Sequence, residues 1–510
     1  MTGIRTRIWL GGAVIALLAA GAAQAAGSEG GHADPFAPIL LELAIVVLAA
    51  AVGRRAAGLV GQPAVLGELL IGVVIGNVGY WLGSPLFVLL MHMDEATKLL
   101  AASWNSHLTV ADTAAKLFPA AELGPGSVGE RLVRALDGAL ATRWVMMTLV
   151  IWFLSNLGVT LLLFMVGMES SVDELVGVGP RALVVAVVGI VAPFAAGFLT
   201  TSLLLPAAST AAHLFVGATL SATSVGITAR VFQDLRRLQS PEARLILSAA
   251  VIDDVLGLIV LAVVAGVVAT GGVQLGEVAR IAVLSTVFMA AVIFLGDRIA
   301  RRLASAFGRL EPTQTRLLFA LTLAFLMGWL ANSIGLAAIV GAFAAGLIVS
   351  DTHFPARSGV GHGPPATAHS PEAAHSPQTL HSPQTLHSVV APLEQIFAPV
   401  FFLLMGMQVN LSTFSRPGTL AMSAALTVAA VVGKVLCGLV AGKIDRLSVG
   451  LGMVPRGEVG LIFASVGKGL GVIDDALFSA VVIMVMVTTM MTPIALKWSL
   501  GRHARASVPG

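Results

Sequence analysis

A chain of 510 residues that is 57% hydrophobic and only 11% charged is not a soluble globular protein, in which charged residues make up about 25%. Its net charge of +3 is spread over many short basic loops, which argues against a nucleic-acid partner, and its single cysteine, Cys437, excludes an intramolecular disulfide or a cysteine-rich metal site. The composition is that of an all-α polytopic membrane protein, with 55 glycines to let helices pack closely in lipid.

In chain order, residues 1–26 read as a secretory signal peptide: Arg5 and Arg7, an apolar run from Trp9 to Ala20, then Ala23-Gln-Ala25 as a small-residue cleavage site. An uncleaved extra helix is the alternative. Thirteen spans are expected, at 36–53, 63–82, 144–168, 181–205, 211–232, 245–270, 278–296, 315–333, 335–350, 395–411, 418–441, 447–470 and 476–497. Arginine and lysine collect on alternate loops, at Arg54 and Arg55, Arg230 to Arg244, Arg298 to Arg316, Lys443 and Arg446, and Lys497 to Arg505. The positive-inside rule therefore places the N-terminus outside and the C-terminus inside the cell.

Two long connections interrupt this pattern. Residues 83–143 form an external insert with expected amphipathic helices. Residues 352–393 repeat HSPEAA, HSPQTL, HSPQTL and HSVVAP and hold six of the eleven histidines. Proline and serine at that density give a disordered cytoplasmic linker, although clustered histidines could also bind a transition metal or sense pH.

The chemistry centres on SAAVIDDVLGLIVLAV, where Asp253 and Asp254 stand in the middle of span six. A carboxylate at the bilayer centre is expensive and needs a partner, a proton or an ion. Neighbours on a helix point about 100° apart, so one can face an ion path while the other meets protein. Lys434 lies midway along span eleven, too deep to reach the interface, and a buried ammonium needs an anion. Lys434 is therefore expected to pair with Asp253. That leaves Asp254, with oxygens from Thr223 or Ser224, to hold a hard monovalent cation; Asp253 and Asp254 are the expected metal-contacting carboxylates.

Spans five and twelve are interrupted. The first contains LSATSVGIT (220–228). The second contains MVPRGEVG (453–460), with a proline, two glycines and the charges of Arg456 and Glu458. Backbone groups freed at such breaks are tolerated only inside protein or beside a cavity, and matched breaks in two halves mark a transporter site at the membrane midplane. Triplets 4-5-6 and 11-12-13 each carry the break in the middle, as two inverted repeats with crossed discontinuous helices would. Arg456 and Glu458 are read as a structural ion pair that neutralises half-helix ends.

Seven motifs in order, QPAVLGELLIGVVIGN, LLFMVGMESSVDEL, SATSVGITARVFQDL, SAAVIDDVLGLIVLAV, IVGAFAAGLIVSD, FAPVFFLLMGMQVNLS and GMVPRGEVGLIFASVGKGLGVIDDALFSAVV, resemble the monovalent cation:proton antiporters, in the second of their two large bacterial groupings. The resemblance covers residues 36–498. It implies thirteen helices, a dimerisation domain (36–168 and 315–411), a mobile core domain (181–270 and 418–498) and a connector helix at 278–296. It further implies a homodimer in the bacterial inner membrane and alternating access. Asp254 matches the family's ion-binding carboxylate, and Asp253 with Lys434 matches the Asp–Lys pair of its two-carboxylate, electrogenic members.

The function expected is exchange of a monovalent cation, Na+ with Li+ and K+ as alternatives, for H+, with no resident cofactor. A proton-independent gated cation channel is the alternative, and a sensor reading through the insert or the linker is a third. An enzyme is not expected, because neither a nucleophile–base set nor a phosphate-binding loop is present.

Overall fold

In the computed structural model, residues 36–118, 123–138, 140–168, 172–270, 275–307, 312–336, 338–349, 386–412 and 417–506 are described. The expected signal peptide and most of the His-rich linker lie outside them. All regular elements among the described residues are helical. Nine helical stretches there are long and apolar enough to cross a membrane. They coincide with expected spans one to five, eight, ten, eleven and thirteen.

The first group of helices comprises α1 (Phe36–Leu59), α2 (Ala64–Trp81), then α3 (Pro85–Met91), α4 (Met93–Ser106), α5 (Val110–Leu117) and α6 (Val128–Asp137), and finally α7 (Ala141–Met168). Helices α3 to α6 are the expected insert helices. Thr109 and Ser127 cap α5 and α6, each hydroxyl accepting from the backbone N–H three residues on. The insert has its own small core around Leu89, Leu99, Ala114 and Leu132, which also takes in Tyr80 at the end of α2.

After α7 come α8 (Val172–Leu204), α9 (Thr210–Ser221), α10 (Val225–Asp234), α11 (Pro241–Thr270) and α12 (Leu275–Phe307). Then follow α13 (Pro312–Ser333), α14 (Ala338–Ile348), α15 (Leu386–Met407), α16 (Pro417–Cys437), α17 (Arg446–Gly452), α18 (Glu458–Gly469) and α19 (Asp475–Ala506). The remaining four expected spans fall on α11, α12, α14 and the pair α17–α18.

One expected boundary is corrected. The linker was expected to run to residue 393 and span ten to start at 395, yet α15 begins at Leu386. Leu386, Val390 and Glu394 are all buried. Apolar residues four apart give the segment LHSVVAPLE a helical face to bury, and this outweighs its repeat-like composition.

Packing sorts the helices into two groups. Helices α1, α2, α7, α14 and α15 pack on one another, while α8 packs on α9, α11 and α16, α16 on α19, and α9 on α18. Small residues set these approaches, as expected in lipid where dispersion and close backbone contact drive association. A Cβ on Gly72 of α2 would lie 2.2 Å from the Leu403 carbonyl of α15, and one on Gly433 of α16 would lie 2.5 Å from Pro193 Cα of α8. Asn77, buried in α2, donates to the carbonyls of Val73 and Val409 and accepts from the Leu411 N–H, so it ties the end of α15 to α2. The two groups meet where α10 touches α2 and α7 and where α19 touches α2.

Candidate functional site

Span five breaks after Ser221 and resumes at Val225, and span twelve breaks after Gly452 and resumes at Glu458. The two gaps cross. The Ser224 N–H donates to the Pro455 carbonyl at 2.8 Å, and the Thr228 hydroxyl donates to the Gly452 carbonyl at 2.7 Å. Backbone groups that lost their helical partners at the breaks are thus satisfied by the opposite break. Gly457 permits the approach: a Cβ there would stand 2.6 Å from Ser224 Oγ and 2.9 Å from Ser224 Cβ.

Arg456 sits inside this crossing with no exposed surface. Its Nη1 donates to the Ala222 carbonyl, and its own carbonyl accepts from the Thr489 hydroxyl of α19. A guanidinium on the last carbonyls of α9 opposes the negative end of that half-helix. Its Nε and Nη2 are buried without a hydrogen-bond partner, and Asp253 is its main electrostatic neighbour. Glu458 is the first residue of α18. Its side chain lies outside the described residues, so the expected pair with Arg456 lies outside them too.

Lys434 and Asp253 meet beside the crossing, as the burial argument requires. The ammonium lies 3.2 Å from Asp253 Oδ1 and 3.4 Å from Oδ2, and the two side chains are 0% and 1% exposed. Helix α16 brings the lysine and α11 the aspartate, with α8 packed against both helices. Gly189 of α8 faces the lysine: a Cβ there would lie in ordinary contact, 3.5 Å from Lys434 Nζ. The Thr223 hydroxyl is buried beside the Asp253 carboxyl group without a well-aligned hydrogen bond. Asp254 follows on α11 and is half-buried. Ser224 is buried within the crossing itself. The expected residues thus converge, apart from the undescribed Glu458 side chain.

Chemically, the arrangement offers two adjacent carboxylates of unequal situation. One is tied to an ammonium; the other is more open. Half-helix ends of both signs point into the same region. Hard oxygen donors of this kind suit a monovalent cation or a proton rather than a soft metal. Among the described residues, no three His, Cys, Asp or Glu side chains gather as a resident metal site would.

Sequence reasoning missed a second cluster of buried charge. Arg230 of α10 was read as a loop residue of the basic side, but it is only 5% exposed. It donates to Glu394 Oε1 of α15 at 2.6 Å, lies 3.3 Å from Asp234 Oδ1, and has Nη2 3.9 Å from Glu68 Oε1 of α2. Arg54 of α1 bonds the same Glu68 oxygen at 3.0 Å.

Paired discontinuous helices crossing beside a buried carboxylate, in an apolar chain whose described elements are all helical, define a secondary ion transporter. More narrowly, the chain belongs to the sodium/hydrogen exchanger family: the family model described as "Sodium/hydrogen exchanger, transmembrane" matches residues 40–501. It is 34% identical over 471 residues to the high-affinity Na(+)/H(+) antiporter NhaS3 of Synechocystis, covering 90% of this chain and 88% of that one. It is 32% identical over 390 residues to the Na(+)/H(+)-K(+) antiporter GerN of Bacillus cereus, covering 75% and 92% respectively. The fold is similar to that of the sodium proton antiporter MjNhaP1 of Methanocaldococcus jannaschii, with a TM-score of 0.50, 16% identity, and 92% of this chain and 99% of that one covered. These named relatives are cation/proton transporters, not enzymes.

Proposed function

We propose that this protein exchanges a monovalent cation, Na+ in the first instance with Li+ or K+ as the alternative, for H+ by alternating access. The observation that carries the reading is the buried Lys434–Asp253 pair standing beside the crossed half-helices, with Asp254 next to it on α11. Proton and cation compete for the Asp254 carboxylate, so one leaves as the other binds. Asp253 carries a second exchangeable charge, released from Lys434 during the cycle, which makes exchange electrogenic. Thr223 contributes a hydroxyl oxygen to the cation, and Ser224 and Arg456 hold the crossing in register.

The same reading carries the family architecture to this chain. It has thirteen spans, a mobile core built from α8–α11 and α16–α19, a scaffold that pairs two copies, and α12 as connector. The protein sits in a bacterial inner membrane, N-terminus outside and C-terminus inside.

The test is proton movement in proteoliposomes on addition of Na+, K+ or Li+, with the wild type beside Asp254→Asn. A cation-dependent pH change absent from the variant is the expected result and ranks the ions. Cation flux in the wild type without proton movement would replace exchange by a channel.

A further inference from the structure

The Arg230 cluster links the two packing groups of the molecule. Arg230 and Asp234 belong to α10, the half-helix that continues from the Thr223–Ser224 break. Their partners Glu68, Arg54 and Glu394 belong to α2, α1 and α15, all in the other group. A backbone contact reinforces them: Asp234 Oδ2 accepts from the Val65 N–H at 3.1 Å, at the start of α2. Only six residues separate Thr223 from Arg230. The half-helix that frames the ion site is therefore the same element that carries this cluster.

We propose that Arg230, with Glu394 and Glu68, is a latch that seals the arginine-rich end of the transporter and must open once in every transport cycle. The proposal rests on the alternating-access reading above. If α10 moves with the ion site while α2 and α15 stay behind, the Arg230–Glu394 and Arg230–Glu68 contacts cannot survive the movement. Their side chains are 6%, 3% and 0% exposed, so the charges are separable only if water enters as they part. The cluster is intact only while that end is closed to water. Glu68 Oε2 is buried without a hydrogen-bond partner, so it is free to take a water when the latch parts.

A permanent staple between the same helices would look alike in one conformation. Freezing the contact tells the two apart. The double variant Val65→Cys/Asp234→Cys places thiols across the latch at residues already in contact. Removing Asp234 leaves two carboxylates, Glu68 and Glu394, facing two guanidiniums, Arg54 and Arg230, so the buried network stays balanced. The single native cysteine, Cys437, is buried. Cation-dependent proton movement is measured in proteoliposomes on the reduced protein, after oxidation with copper phenanthroline (the cross-link confirmed by mass), and after dithiothreitol.

The latch predicts exchange in the reduced form, loss on cross-linking and recovery on reduction. A cross-linked protein that exchanges as fast as the reduced one overturns the latch and leaves the antiporter reading intact. If neither the wild type nor the reduced variant moves protons, the antiporter reading fails and takes the latch with it. A second variant covers poor folding of the first: in Val65→Cys, adding Glu394→Gln should speed labelling by a membrane-impermeant maleimide severalfold. Equal labelling rates would also overturn the latch.

Discussion

The Lys434–Asp253 pair permits a quantitative test of what holds the site together. At 3.2 Å, and with an effective dielectric near 20, two unit charges attract by about 5 kcal/mol. Moving each ion out of water costs several kcal/mol, so the intact pair contributes little net stability, whereas removing one partner costs about 3–5 kcal/mol because the survivor is left buried alone. Asp253→Asn and Lys434→Met should therefore each lower the thermal denaturation midpoint of the purified protein clearly. The double variant, with both charges gone, should recover most of that loss, with a coupling energy of about 5 kcal/mol between the positions. Seven tryptophans give a fluorescence signal for the transition. If the double variant is as unstable as the sum of the singles, the two groups are not coupled, and the account of Asp253 as a lysine-held carboxylate is wrong.

Two further outcomes follow from the same structure. Gly457→Ala should part the helix crossing, because its Cβ would stand 2.9 Å from Ser224 Cβ; at an overpacking cost of about 1–3 kcal/mol, exchange in proteoliposomes should fall sharply while the protein still purifies. Adding Ser224→Gly should restore part of the rate, and wild-type exchange by Gly457→Ala alone would refute the close-packing argument. In the insert, burial first, then the positive charges of Lys468 and Arg131, hold the His92 imidazole below its ordinary range against the opposing pull of Glu95, and its Nε2 is buried without a hydrogen-bond partner. The unfolded insert then takes up the proton first as pH falls, so the stability from neutral His92 is complete above about pH 6.5 and lost below it. The protection factors of amides 93–118, taken relative to the intrinsic exchange rate at each pH, should fall on acidification below that range, and His92→Phe should flatten the response; an unchanged profile in the variant would remove His92 from the role.

What could be read from the sequence and what could not divide along one physical line. Burial of a charge in an apolar run announces that a partner exists, and where the candidates are few the partner follows. For Lys434 the adjacent pair of carboxylates in span six was the obvious candidate, and it meets Asp253 across 181 positions. Breaks with glycine and proline in two matched spans likewise announced a crossing, because freed backbone groups must be satisfied somewhere. Arg456 shows where that reasoning stops. The sequence reading set its charge against half-helix ends beside Glu458, and the group it serves is the Ala222 carbonyl of the opposite break, a contact that exists only once the helices have crossed. The start of α15 was hidden because the HS repeat runs straight into Leu386 and Val390, so composition masked the helical period.

The Arg230 cluster was the larger omission, and the same rule would have found half of it. Glu68 is a lone carboxylate in the apolar run AVLGELLIGVVIG, as much in need of a partner as Asp253. Arg230 stood at a span end, where a basic residue is satisfied by water and signals only topology, so nothing local distinguished it from Arg236 or Arg237. Its burial depends on α2 and α15 closing over α10, a property of one arrangement of the two helix groups rather than of any segment. Charges that a sequence leaves looking solvated, and that a fold buries across the seam between two groups, are the ones whose burial changes when the seam moves. On the latch proposal, the residue least visible in the sequence is thus the one placed to report the state of the transporter.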